Sequence, residues 1–362
     1  MLSNQVIQSA IDELRNITRI DLCVTDAQGT VVASTMGQTD ILPEAVREFA
    51  QSAADSQAVN GYFLFKVTEE EEPTYLVLAK GGEDAHMTGR IAVSQLRQLL
   101  TAYKERLDRE SFLQNLILDN LLLVDIHNRA KRLHIPAEAD RAVFLIETAF
   151  DDDMDIMELM KGLFIPYNGD YLLTVEERNI ILIKALSDGD DYEVLKETAA
   201  MIVDMVNTEA MVNVKVAYGT IVHELKDVSK SFKEAKMALE VGKIFYVERD
   251  VMAFHRLGIG RLIYQLPENL CRIFIEEVFG NDTLPKEIDE EILTTVQKFF
   301  ENNLNISETA RKLFIHRNTL VYRIEKVQKA TGLDMRVFED ALTFNIALMV
   351  VNYLKYVESM NS

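Results

Sequence analysis

The chain has 362 residues, 48% of them apolar and 27% charged, with fifteen glycines and six prolines. At about 150 residues per domain this length holds two or three domains, each able to bury its own core, and so few chain breakers exclude a collagen-like, low-complexity or disordered chain. Asp and Glu outnumber Lys and Arg by 58 to 38, which argues against sequence-independent coating of nucleic acid or anionic lipid but leaves room for a local basic patch.

Residues 1–90 alternate helical and strand-like patterns. Val6, Ile7, Ala10, Ile11 and Leu14 form a helical stripe with Ser3 or Asn4 as N-cap. The strand-like runs IDLCVTD and TVVAST are joined by Ala27-Gln28-Gly29, and a helix begins at Pro43. Two further strands, GYFLFKVT and TYLVLAK, flank an acidic turn from Glu69 to Glu72. Helix, hairpin, helix, hairpin, helix at this length resembles a small PAS, GAF or profilin-like sensor that cups a ligand between sheet and helices. From 91 to 135 the pattern is helical and carries Leu96, Leu99, Leu100, Tyr103 and Leu107. Their spacing fits either a helix packed on its own domains or a parallel two-helix connector between protomers, with the connector favoured.

Residues 136–270 read as β-α-β-β-α-β-α, from AVFLIET through VKVAYGTIV to SFKEAKMALEVGKIF. This order resembles the palm of diguanylate cyclases. Active members of that family carry Gly-Gly-Asp/Glu-Glu-Phe in the central hairpin turn, where this chain has Val175-Glu176-Glu177-Arg178-Asn179. Without the glycines the backbone cannot approach a phosphate, and Arg178 stands where a metal would be. A degenerate, GGDEF-like domain is expected.

The most informative stretch is 288–332. Ile288, Ile292, Val296, Phe299, Phe300 and Leu304 line one helical face, and Asn302-Asn303 is a stop signal. Ile306 and Ser307 then supply a staple-like residue and an N-cap for a short helix, SETARKLF, with Ala310 and Leu313 inward. A turn at Ile315-His316 leads to RNTLVYRIEKVQKA, stopped by Gly332. Two short helices joined by a tight turn, with a small residue in the first, describe a helix-turn-helix. At 100° per residue Leu320, Ile324 and Val327 share the buried stripe, while Asn318, Tyr322 and Lys326 face outward beside Thr319 and Arg323. Arginine suits guanine, asparagine suits adenine, and threonine or tyrosine can meet the thymine methyl. Residues 307–330 hold Arg311, Lys312, Arg317, Arg323, Lys326 and Lys329 against Glu308 and Glu325, a local excess of four positive charges. After Gly332 a last helix is apolar round most of its girth from Ala341 to Leu354, which suits packing over the first two helices of the DNA-binding domain or burial in a two-fold dimer.

The run NISETARKLFIHRNTLVYRIEKVQKATGLDM resembles the C-terminal helix-turn-helix of PucR/CdaR-type regulators, and the middle domain resembles the degenerate cyclase-like domain of the same proteins. The resemblance implies a transcription factor with His316, Arg317, Asn318, Thr319, Tyr322 and Arg323 at the DNA surface; Lys326, Ser307 and Arg311 complete the expected DNA-binding set. It implies an N-terminal domain that senses a small metabolite, sugar diacids in the namesake members, although the first 90 residues are shorter than the sugar-diacid recognition domain. A carboxylate effector needs cationic anchors, for which Lys80, His86 and Arg90 are candidates, with Tyr62 among the aromatic wall residues Phe63, Phe65 and Tyr75.

The expected organisation is an α/β multidomain chain. It comprises a sensor at 1–90, a helical connector at 91–135, a degenerate GGDEF-like α/β domain at 136–270 and an all-α helix-turn-helix domain at 280–362. It would act as a homodimer or higher oligomer on an operator duplex under control of a small-molecule effector. A nucleotide-binding or cyclase-type signalling enzyme working through 136–270 is the alternative. Cys23 and Cys271 lack a partner motif and the six histidines are scattered, so no disulfide, metal, cofactor or catalytic constellation is expected. The first residues lack the n- and h-regions of a secretory signal, and NLILDNLLLVDI and FNIALMVVNYL are too short to cross a bilayer, so a soluble cytoplasmic protein is expected.

Overall fold

The Ser3 hydroxyl accepts a hydrogen bond from the Val6 amide (3.4 Å) and starts helix α1 (Asn4–Thr18). The protein is seen here in a computed structural model that describes residues 2–360 apart from 38–42, 70–71, 149–152, 165–168, 177–178 and 282. Two units divide the chain, Met1–Leu113 and Gln114–Ser362.

In the first unit α1 is followed by β1 (Leu22–Asp26), β2 (Val31–Ser34), α2 (Pro43–Gln51), β3 (Ser56–Val59), β4 (Tyr62–Glu69), β5 (Glu72–Lys80) and α3 (Glu83–Ile117). The Asp26 carboxylate accepts from the Gln28 and Thr30 amides (both 2.8 Å), which closes the β1–β2 turn around Gly29 at φ +82°. The strands form one antiparallel sheet in the order β2-β1-β5-β4-β3. Strand alternation splits its side chains between two cores. Val24, Phe65, Val67, Tyr75 and Val77 pack with α1 and with Ala85, Ala92, Leu96 and Leu100 of α3. Cys23, Tyr62, Leu64, Leu76 and Leu78 pack with Val46 and Phe49 of α2 on the other face. The edge strand β3 was not expected, because SQAV is too short and too polar to stand out. The α3 seam from Leu96 to Tyr103 is used on this unit's own core and so is not free to form a connector surface, while Leu107 is exposed. The first unit therefore reaches well beyond residue 90.

The second unit continues through α4 (Leu123–Arg132), β6 (Glu138–Thr148), α5 (Asp153–Leu163), β7 (Tyr171–Glu176), β8 (Asn179–Ala185), α6 (Tyr192–Met205), β9 (Val214–Tyr218), β10 (Val222–Glu224), α7 (Val228–Phe245) and β11 (Val251–Ala253). The sheet runs β11-β9-β6-β8-β7, with β10 pairing with β6; only β11 and β9 are parallel. The run VKVAYGTIV, expected as one strand, breaks at Gly219. A Cβ there would lie 2.1 Å from the Ser231 carbonyl oxygen of α7, whose hydroxyl donates to Thr220 O (2.8 Å) and accepts from the Val143 amide (3.0 Å). The hairpin turn at Glu177-Arg178, and part of the acidic turn at 69–72, lie outside the described residues.

Six helices complete the chain: α8 (Ile259–Tyr264), α9 (Glu268–Phe279), α10 (Glu290–Glu301), α11 (Ile306–Lys312), α12 (Arg317–Thr331) and α13 (Phe338–Met360). The apolar girth of α13 is accounted for within the chain. Phe344, Ala347, Val350, Val351 and Leu354 are buried in one core with Val296 and Phe299 of α10, Ala310 of α11 and Leu320 and Ile324 of α12, and the helix also lies against α7, α8 and α9. On α7, Lys243 pairs with Glu147 of β6 (2.6 Å) and with Glu240 (3.1 Å), and the Tyr356 hydroxyl of α13 donates to Glu240. Burial, with Glu240 beside it, pushes the Tyr356 phenol well above its ordinary pKa. Among the described residues no helix is long and apolar enough to cross a membrane.

Candidate nucleic-acid interface and ligand groove

Helix α11 is capped by Asn305, whose side chain accepts from the Glu308 amide (3.1 Å). The expected cap, Ser307, lies instead in the first turn and is exposed. Asparagine is as good a cap as serine, and capping there lets Ile306 pack against the core. Thr309 and Ala310 are buried, and the small Ala310 lets α10, α11 and α12 pack together. Past Leu313 the backbone turns through Phe314 in the left-handed region (φ 55°), with the Ile315 amide donating to Ala310 O (3.0 Å). His316 caps α12 through Nδ1, which accepts from the Asn318 amide (3.3 Å), and Gly332 at φ +79° ends it.

On α12, Leu320, Ile324 and Val327 are buried, as the 100° spacing requires. His316, Arg317, Asn318 and Thr319 are exposed, and Tyr322 is 65% exposed. Arg323 behaves differently. Its side chain is only 16% exposed, with Nη1 donating to Thr295 Oγ1 (2.9 Å) and Nη2 paired with Glu291. Lys326 lies 3.7 Å from Asp289, whose carboxyl is held below its ordinary pKa by the Ile292 amide and then by Lys326. Arg311 is paired with Glu308 (2.7 Å). Lys312, Arg317 and Lys329 have no acid partner among the described residues. A charge count over 307–330 misses the two acids that α10 brings to the margin of α12 from 289 and 291. It also misses Phe314, 96% exposed beside the turn. Alternation about the turn was a usable signal, since Leu313 and Ile315 both turn to the core.

In the first unit His86 and Arg90 line one groove between α3 and the β3–β4 edge. Tyr62 and Lys80 do not join them. Tyr62 is buried on the α2 face and Lys80 Nζ lies over its ring (5.3 Å), because residue 62 alternates away from Phe63 and Phe65. Of the aromatic wall, Phe65 reaches the groove and Tyr75 lies within the core.

Three packed helices with a solvent-facing α12, behind an α/β domain with a mixed sheet, define a helix-turn-helix protein. Residues 292–350 match the PucR C-terminal helix-turn-helix domain and residues 120–241 the GGDEF-like domain. The chain thus carries a PucR-type helix-turn-helix domain and a GGDEF-like domain, and is distantly homologous to two regulators. The carbohydrate diacid regulator of Escherichia coli is 26% identical over 292 residues, 75% of this chain and 73% of its own length. The purine catabolism regulatory protein of Bacillus subtilis is 27% identical over 173 residues, 47% of this chain but 32% of its own. The proline-responsive transcriptional activator PutR of Bacillus subtilis is 22% identical over 241 residues, covering 63% of this chain and 57% of its own.

Proposed function

We propose that this chain is a ligand-responsive transcriptional regulator that binds operator DNA as a homodimer, in the cytoplasm, through α12. The observation that carries the reading is the exposed run His316–Thr319 with Tyr322, set on a packed helix-turn-helix of PucR type. Arg317, Asn318, Thr319 and Tyr322 would meet base edges in the major groove, and Arg311, Ser307 and His316 the flanking phosphates. Arg323 and Lys326 act first as positioning residues that fix the pitch of α12 on α10. Two protomers would present α12 to half-sites about one helical turn apart.

The first unit is read as a PAS-, GAF- or profilin-like sensor, supported by its five-stranded antiparallel sheet with helices on both faces. An effector bound there would bias α3 and shift the population of DNA-competent dimers. The middle domain is read as a non-catalytic module, since the stretch 175–179 has neither glycine of the cyclase turn. The test is fluorescence anisotropy against duplexes tiled across the upstream region of the protein's own operon. A specific, salt-sensitive complex that Asn318→Ala weakens supports the reading; equal affinity for every duplex, or no effect of Asn318→Ala, overturns it.

A further inference from the structure

The groove beside α3 has a volume of about 550 Å³. Its walls include His86, Arg90, Val93 and Arg97 from the helix and Phe65 from β4, with Asp55 as the acid at its rim. Three features set it apart from an ordinary solvated cleft. First, residues 1–113 hold seventeen acids and ten Lys/Arg, yet Arg90 has no acid partner among the described residues. Arg97 is likewise unpaired by any acid there, and its Nη2 donates only to Thr68 Oγ1 (3.4 Å). Second, the His86 ring is held edge-on to Phe63 (5.2 Å) and Phe65 (5.3 Å), so its orientation is set before any ligand arrives. Third, the aromatic floor depends on Gly89, where a Cβ would lie 2.2 Å from the Phe65 ring. Lys66 also borders the groove, with its ammonium donating to Ser52 O and lying over the Phe49 ring (5.1 Å).

We propose that this groove is the effector site and that it takes a small organic anion. The acid group would lie on the guanidinium group of Arg90 or of Arg97, and the apolar or aromatic body over Phe65 and Val93. The two arginines stand seven residues apart, about 10 Å along the helix, so a compact ligand engages one of them fully and a longer one spans both. Carboxylate and phosphate share the required chemistry. The assignment rests on reading the first unit as the sensor of a regulator.

The experiment uses the full chain with ¹³C-labelled histidine, following the His86 ring signal, assigned with His86→Gln, at constant ionic strength. The probes are benzoate, phenyl phosphate and, as the neutral control, benzamide. Either anion should shift His86 saturably while benzamide does not, and Arg90→Ala or Arg97→Ala should weaken binding roughly tenfold with unchanged thermal unfolding. Tighter benzoate indicates a carboxylate effector and tighter phenyl phosphate a phosphorylated one. The proposal falls if benzamide matches the anions, if no probe moves His86, or if both variants bind like the parent. DNA affinity measured on the same samples separates the two readings. A silent groove beside intact operator recognition overturns the site alone, and a working groove without operator recognition overturns the regulator.

Discussion

The ridge on α12 and the groove beside α3 are both cationic features of a strongly acidic chain, and they are built in opposite ways. The ridge is convex and comes from near-consecutive residues of one short helix, 316–322. The groove is concave and needs side chains on α3 to meet strands that precede them by 20 to 40 positions. A convex site follows from one helix and its buried stripe, whereas a concave one exists only once the sheet order is set. Each leaves at least one arginine, Arg317 or Arg90, without an acid partner among the described residues despite the acid excess.

That contrast can be broken most severely from inside. Leu320 is fully buried under the ridge, so Leu320→Ala should cost about 2–5 kcal/mol of stability and abolish operator binding, while the His86 signal still responds to anions. Urea unfolding with anisotropy and NMR reads all three; a lost groove response would mean that the two features are not independent. Next, Arg317→Ala should lose about 1–3 kcal/mol of operator affinity with no change in unfolding.

Arg323→Ala sharpens the division between reading and bracing. It should cost stability of about 1 kcal/mol through the lost bond to Thr295, and lower operator affinity less than Arg317→Ala does. An equal loss of affinity with unchanged unfolding would return Arg323 to the ridge. The smallest effect concerns His223, whose Nδ1 lies 2.9 Å from Asp140 and whose pKa that hydrogen bond raises above the ordinary 6.5. The charged imidazole is thus favoured in the fold. Its contribution is full below the ordinary value and lost as pH rises through the raised one, and it is small because the pair is exposed. A His223→Gln variant should show a slightly flatter stability profile above pH 6.5 than the parent.

Much of this was legible in the residues alone. Leu320, Ile324 and Val327 declared the buried stripe of α12, Gly332 its end, and Asn302-Asn303 the break before α11. What could not be read came from partners distant in sequence. Nothing near Arg323 announces that Glu291 and Thr295 will hold it, and nothing near His86 announces that Phe63 and Phe65 will frame it. The Ser307 cap failed for a local reason, since Asn305 competes for the same role and wins by turning Ile306 inward. Tyr62 and Lys80 failed through strand parity, which sends neighbours to opposite faces. Short edge elements such as β3 carry too little apolar character to be seen at all.

The linkage Glu147–Lys243–Glu240–Tyr356 has a mechanical meaning. It runs from the central strand of the mixed sheet, across α7, to the last helix of the chain in three side-chain steps. A reading head fastened in this manner does not swing on a tether, and its aim is inherited from the body that carries it. Whatever sets the separation of two such bodies would thereby choose which operator spacings can be gripped.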